Sequence, residues 1–210
     1  MIAALAVTAV SLALFATEAV VIAGDRAPTA VDESVLHAAH RIENGTVVAI
    51  AKVVTVLGTL PVTATVAVIA AVALRRRPTE VAVLVASAVA IFIAVHVTKA
   101  ATDRPRPPDP LADATLSAFP SGHAAYSTIY VAAALAIART TLVTRRTALI
   151  AAAIVLALAI GGTRLYLRVH WATDVLGGWA LGAAIFGAAT AIGLAVGRFR
   201  NNDPRNVQWP

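Results

Sequence analysis

The sequence predicts an all-α integral membrane protein, a bundle of six transmembrane helices with a short interfacial helix after the first span. Three observations predict it. Hydrophobic residues make up 59% of the 210-residue chain and charged residues 13%, which is far from the balance of a soluble domain. Apolar runs of about 20 residues recur, each long enough to cross a hydrocarbon core. The segments between them are short and basic, or rich in proline and aspartate, and neither kind can lie in lipid. We read residues 1–210 as a single membrane domain, with no separate soluble unit.

The formal net charge of +6 does not imply a nucleic-acid partner, because membrane proteins concentrate Lys and Arg in their cytoplasmic loops. The chain has no cysteine. That excludes a cysteine nucleophile and any thiolate metal site.

The first span covers residues 2–23, interrupted only by Thr17 and Glu18. It lacks a basic start and is longer than a signal-peptide core, so it is read as retained. Glu18 sits within two turns of the exit at Gly24, as an interfacial carboxylate would. Residues 25–44 are polar, and Val31, Val35, Leu36 and Ile42 among charged neighbours suggest a helix lying along the interface. His37 and His40 in it have no further His or Cys close by, and they read as a solvated face rather than a metal site.

The second span, 46–74, carries Lys52, Thr55, Gly58, Thr59 and Pro61 in its outer half, the mark of a face turned toward protein. A basic turn at Arg75, Arg76 and Arg77 leads into the third span, 80–100, which ends with His96 and Lys99. Residues 102–118 hold four prolines, three aspartates, Arg104 and Arg106, and form a loop. The fourth span, 120–138, opens on Pro120, Ser121, Gly122 and His123, which places free backbone N–H groups at a helix start. Arg139, Arg145 and Arg146 make the next turn, and spans follow at 147–162 and 174–196, with a polar tail at 198–210.

Between the last two spans lies a polar island, residues 163–174, that carries Arg164, His170 and Asp174. With a helix starting near His170, Asp174 falls one turn on, on the same face. There it fixes the imidazole tautomer and frees the other ring nitrogen as base or nucleophile. Six spans bring Lys99, His123 and His170 to one side of the membrane. Lys99, Arg106 and Arg164 are then three cations round one point and call for an anion with several oxygens, such as phosphate. Asp103, Asp109 and Asp113 are scattered in a Pro-rich loop and read as solubilising groups rather than a divalent-metal triad. The inventory supports metal-free phosphoryl transfer to a histidine.

Three stretches resemble the signature motifs of the type 2 phosphatidic acid phosphatases, a superfamily that includes bacterial acid phosphatases and vanadium haloperoxidases. They are Lys99 with six residues before Arg106-Pro107, then Pro120-Ser121-Gly122-His123, then Arg164 with five residues before His170 and three before Asp174. Thr163 stands where that family usually has Ser. The resemblance implies an integral-membrane lipid phosphatase without cofactor. It makes His170 the nucleophile, Asp174 its orienting partner and His123 the acid and base, with Lys99, Arg106, Ser121, Gly122 and Arg164 holding phosphate.

Arg104 and Arg168 match no motif position, and are expected to be loop charges or to grip a second phosphate. Tyr126, Ser127 and Tyr130 share the His123 face, as cavity lining or as a buried seam. Substrates the resemblance allows are polyprenyl diphosphates, placed first, then phosphatidylglycerol phosphate and phosphatidic acid. A lipid phosphotransferase is a second reading. A transporter is a third, but it predicts half-helices and an internal repeat that the sequence does not have. The soluble haloperoxidases do not fit a chain this apolar.

Nine Lys and Arg lie on the side opposite the motifs and eight on the motif side, or five without Lys99, Arg106 and Arg164. The positive-inside rule then places both termini in the cytoplasm and the site on the extracytoplasmic face of the plasma (inner) membrane. The partners expected are the bilayer and a lipid phosphate, with no nucleic acid.

Overall fold

The structure, a computed structural model, describes residues 1–139 and 143–201. The tail expected at 198–210 therefore lies, beyond residue 201, outside the described residues. Eight helices are present among them, and no strand.

α1 (Ile2–Gly24) leads to α2 (Ala30–Arg41), then α3 (Gly45–Val56) and α4 (Leu60–Ala73). α5 (Pro78–Thr102), α6 (Gly122–Ala138), α7 (Val143–Tyr166) and α8 (Ala172–Asn201) complete the chain. α1, α5, α7 and α8 are each long and apolar enough to cross a membrane. The expected second span is two helices bent by 47°. Pro61, at the start of α4, is the cause: it has no N–H to offer, and its ring clashes with the carbonyl four residues back. α6, the expected fourth span, is apolar but only 17 residues long. Length and composition thus give four crossing helices, or five with the bent pair as one.

Helix ends differ from the sequence reading where side chains extend or cap them. α7 runs past residue 162 to Tyr166, so Arg164 is helical rather than part of a loop. α6 starts at Gly122 with Ser121 as its N-cap, so Pro120 stands just before the helix. α2 is a short helix where the interfacial helix is expected, opened by a capping box in which Thr29 and Asp32 each bond the other's backbone N–H.

α6 is the centre of the bundle. It packs on α4, α5, α7 and α8, and α1 packs along α8. Leu84, Ile91 and Val95 of α5 meet Ala125, Ile129 and Ala132 of α6 in the main core. Small residues allow the close approaches: a Cβ on Gly178 of α8 would meet the Ser121 carbonyl and Ala124 Cβ of α6. Val10, Val53 and Val97 are exposed on the outside, as lipid-facing residues are. The C-terminal ends of α5 and α7 and the N-terminal ends of α6 and α8 meet at one end of the bundle, where Ser121 N–H donates to the Asp174 carbonyl at 2.9 Å.

Candidate active site

His170 is the centre of that end. It lies in the turn between α7 and α8, two residues before α8 begins, rather than inside a helix. Asp174 still reaches it, because Asp174 is the third residue of α8 and its carboxylate turns back over the helix start. Asp174 Oδ2 accepts from the Trp171 N–H at 2.8 Å and lies 3.4 Å from His170 Nδ1. That approach is off the hydrogen-bond axis, and Nδ1 has no partner of good geometry. On the other side of the ring, Arg106 Nη1 stands 3.3 Å from Nε2. A guanidinium can only donate, so Nε2 carries its lone pair and Nδ1 its proton. Burial is the main cause that pushes the His170 pKa down to about 4, against the opposing pull of Asp174. The ring is neutral near pH 7.

The other residues expected at the site surround this ring. His123 is within electrostatic reach of Arg164, His170, Lys99 and Arg106. It is the second residue of α6 and packs against the break between α3 and α4. A Cβ on Gly58 would sit 3.1 Å from the His123 Cβ. Lys99, near the end of α5, donates to the Ser117 carbonyl at 2.5 Å and to that of Ala118 at 3.4 Å. Arg106 donates to the carbonyls of Val169 at 2.5 Å and Thr115 at 2.6 Å. Burial, ahead of any charge effect, holds its pKa below the ordinary arginine value. Arg164 is 4% exposed. Its Nη1 donates to Thr55 Oγ1 at 2.9 Å, and its buried Nε has no protein acceptor. Ser121 is buried, and its hydroxyl caps α6 only weakly, at 3.5 Å from the Ala124 N–H. Gly122 is buried at the helix start.

Arg104 overturns the expectation made for it. It is neither a loop charge nor free to grip a second phosphate. Its side chain is fully buried between two carboxylates: Nη2 donates to Asp32 at 2.8 Å, and Nη1 to Asp174 Oδ1 at 2.6 Å and Thr173 Oγ1 at 2.7 Å. Arg168 is also engaged, with His40 Nδ1 at 2.5 Å and Glu43 at 2.9 Å. α2 therefore holds the loop after α5 through Asp32 and the turn before α8 through His40. Asp32 had no place in the sequence reading. Its spacing from Thr29 is that of a capping box, which marks a helix start but says nothing of the α8 residue it meets.

Three lesser expectations resolve. Tyr126 and Ser127 are buried, and Tyr130 donates to the Leu57 carbonyl at 2.8 Å, so this face is a helix seam. The Thr163 hydroxyl turns back to the Ile160 carbonyl at 2.6 Å and serves its own helix. Lys52 is exposed, while Thr55 and Gly58 face inward.

Among the described residues, no three His, Asp or Glu side chains are grouped to hold a metal ion. The cluster instead offers cations and a neutral imidazole, a set that suits an anionic phosphate.

Comparison with known proteins agrees with the motifs. The PAP2 superfamily profile matches residues 78–198, which contain every motif residue. A search of curated protein sequences finds no match. A similar solved structure is the transmembrane PAP2-type phosphatidylglycerolphosphate phosphatase of Bacillus subtilis. It is 26% identical with a TM-score of 0.76, and the match covers 90% of this chain and 98% of that one. LpxE of Aquifex aeolicus shares the fold at 21% identity and a TM-score of 0.62, over 80% of this chain and 96% of that one. The chain belongs to the PAP2 superfamily and is a membrane phosphatase of that family.

Proposed function

We propose that the chain hydrolyses a lipid phosphate through a phosphohistidine. The observation that carries this is the position of His170, with Asp174 beside Nδ1 and Arg106 at Nε2. Nε2 attacks phosphorus; the N–P bond forms as the bond to the lipid oxygen breaks. His123, protonated, gives that oxygen its proton. Water then attacks phosphorus, the N–P bond breaks, His123 takes the water proton, and phosphate leaves. Lys99, Arg106, Arg164, Ser121 and the Gly122 N–H hold the phosphate oxygens as charge redistributes. The buried Arg164 Nε without a protein acceptor supports an anion there.

We take all six apolar units, with α3 and α4 as one bent span and α6 as a short one, to cross the membrane in a single domain. The nine-to-five excess of Lys and Arg supports cytoplasmic termini and an extracytoplasmic site in the plasma membrane.

For the substrate we place phosphatidylglycerol phosphate first. Arg104 and Arg168 are committed to carboxylates, which removes the charge argument for a diphosphate. The likeness to the Bacillus subtilis phosphatidylglycerolphosphate phosphatase over nearly its whole length supports this order. A polyprenyl diphosphate is the second reading, favoured by the inferred extracytoplasmic site. Phosphate release from phosphatidylglycerol phosphate, phosphatidic acid and a polyprenyl diphosphate in one detergent tests both. A tenfold higher kcat/KM for the diphosphate, about 1.4 kcal/mol in the transition state, reverses the order. No release from any of the three rejects the phosphatase reading.

A further inference from the structure

Asp32 is far from every motif residue in sequence, yet it is among the most buried groups in the protein, at 1% exposed. Its Oδ2 accepts from Arg104 Nη2 and from the Thr29 N–H. Its Oδ1 accepts from the Thr173 N–H at 2.9 Å, and the Thr173 hydroxyl lies within 3.0 Å of both oxygens. Thr173 is the second residue of α8, so its N–H is one of the four a helix start leaves unpaired. Asp32 thus caps α8 from another helix. Burial alone would raise its pKa, but the N–H groups of Thr173 and Thr29 and the Arg104 guanidinium hold it below the ordinary value.

The second fork of Arg104 goes to Asp174 Oδ1 at 2.6 Å, and Asp174 Oδ2 faces His170. The order is therefore Asp32, Arg104, Asp174, His170, with no exposed member. A lone Asp174–Arg104 pair would neutralise the carboxylate that must support the imidazole. A second carboxylate on the same guanidinium restores one net negative charge to the network.

We propose that Asp32 is a positioning residue of the active site, acting through Arg104 on Asp174 to set the orientation and proton affinity of His170. This rests on the roles proposed for His170 and Asp174. Other charged groups face the same ring or network and stay constant in the test. Arg106 from the loop and Lys99 from α5 act on His170 directly. His123 from α6 lies within electrostatic reach of both His170 and Arg164 of α7, and Glu18 from α1 reaches Asp32, Arg104 and Asp174.

The test is the acid limb of the kcat/KM profile in charge-changing variants. Asp32→Asn leaves the network neutral, so His170 holds its proton less tightly and the limb moves to lower pH. Arg104→Gln leaves two negative charges, and the limb moves to higher pH. Each shift is expected to be about half a pH unit or more, from one charge acting through a partly screened interior. Both variants lower kcat at least tenfold with KM within about twofold, a rate-only loss that marks transition-state support. A structural role alone moves both limbs the same way or not at all, and that result overturns the proposal.

Where either variant fails to fold, Asp32→Glu and Arg104→Lys keep the charges. They are expected to lower kcat at least tenfold without moving the limb, and wild-type kcat in both overturns the proposal. His170→Ala is assayed in parallel. An active His170→Ala enzyme refutes the phosphohistidine reading itself, whereas an inactive one, together with unshifted limbs in the Asp32→Asn and Arg104→Gln variants, refutes only the part played by Asp32.

Discussion

Arg106 Nη1 lies 3.3 Å from His170 Nε2, so a donor that cannot accept faces the nitrogen proposed as the nucleophile. This relationship fixes the tautomer before any substrate arrives, and it places a cation beside the nitrogen proposed to attack. It also explains why Arg106 spends its other N–H groups on the carbonyls of Thr115 and Val169: they hold the guanidinium in place at the edge of the site.

The proposed attacking nitrogen has no substitute in this cluster. His170→Ala is expected to lower kcat by on the order of 10³-fold or more, and Asp174→Asn by roughly 10²-fold. Single-turnover phosphate release measures both. Near-normal turnover in His170→Ala would falsify the assignment. EDTA is expected to leave the rate unchanged, and inactivation reversed by a divalent ion would contradict the metal-free mechanism.

Burial of His170, which pushes its pKa down to about 4, has a signed consequence. The reactive form is neutral, so the acid limb of kcat/KM due to this ring is expected near pH 4 rather than 6.5. Substrate ionisation, followed separately by phosphorus NMR, is subtracted. The unfolded chain takes up this proton first as pH falls, so His170 makes stability decline with falling pH across the window from about 6.5 to 4. A limb at 6.5 would show that the ring is solvated.

Gly58 is needed for the fit of His123. A methyl group there would lie 3.1 Å from His123 Cβ and Cδ2 and run into Ile160. Gly58→Ala is expected to cost about 1–3 kcal/mol by overpacking, and to lower kcat about tenfold by moving His123, the proposed proton donor. Thermal unfolding and steady-state assays in detergent report the two effects, and an unchanged kcat would show that the break between α3 and α4 can yield.

Orientation is open to a direct test because the native chain has no cysteine. Single cysteines at Asp109 and Arg76 are expected to react with a membrane-impermeant maleimide from opposite faces, Asp109 from outside. Labelling of the Asp109 variant only after cell lysis would invert the topology.

The sequence determined the apolar helices, the short helix after the first of them, and the three motifs. Local chemistry writes these down: apolar length sets a span, a Thr-x-x-Asp step opens α2, and the spacings of Lys99–Arg106 and Arg164–His170–Asp174 are fixed along the chain. Its expectation of six alternating spans also put Lys99, His123 and His170 at one end. It did not give the bend at Pro61, the extension of α7 through Arg164, or the start of α8 after His170. These depend on what each helix end meets, Thr55 for Arg164 and Asp32 for the first turn of α8. Only the tertiary structure decided the fate of Arg104. An arginine in a Pro-rich loop reads as a free charge until a carboxylate 72 residues earlier and another 70 residues later close on it. A buried ion takes its meaning from partners that must replace its water, and those partners come together only when the chain has folded.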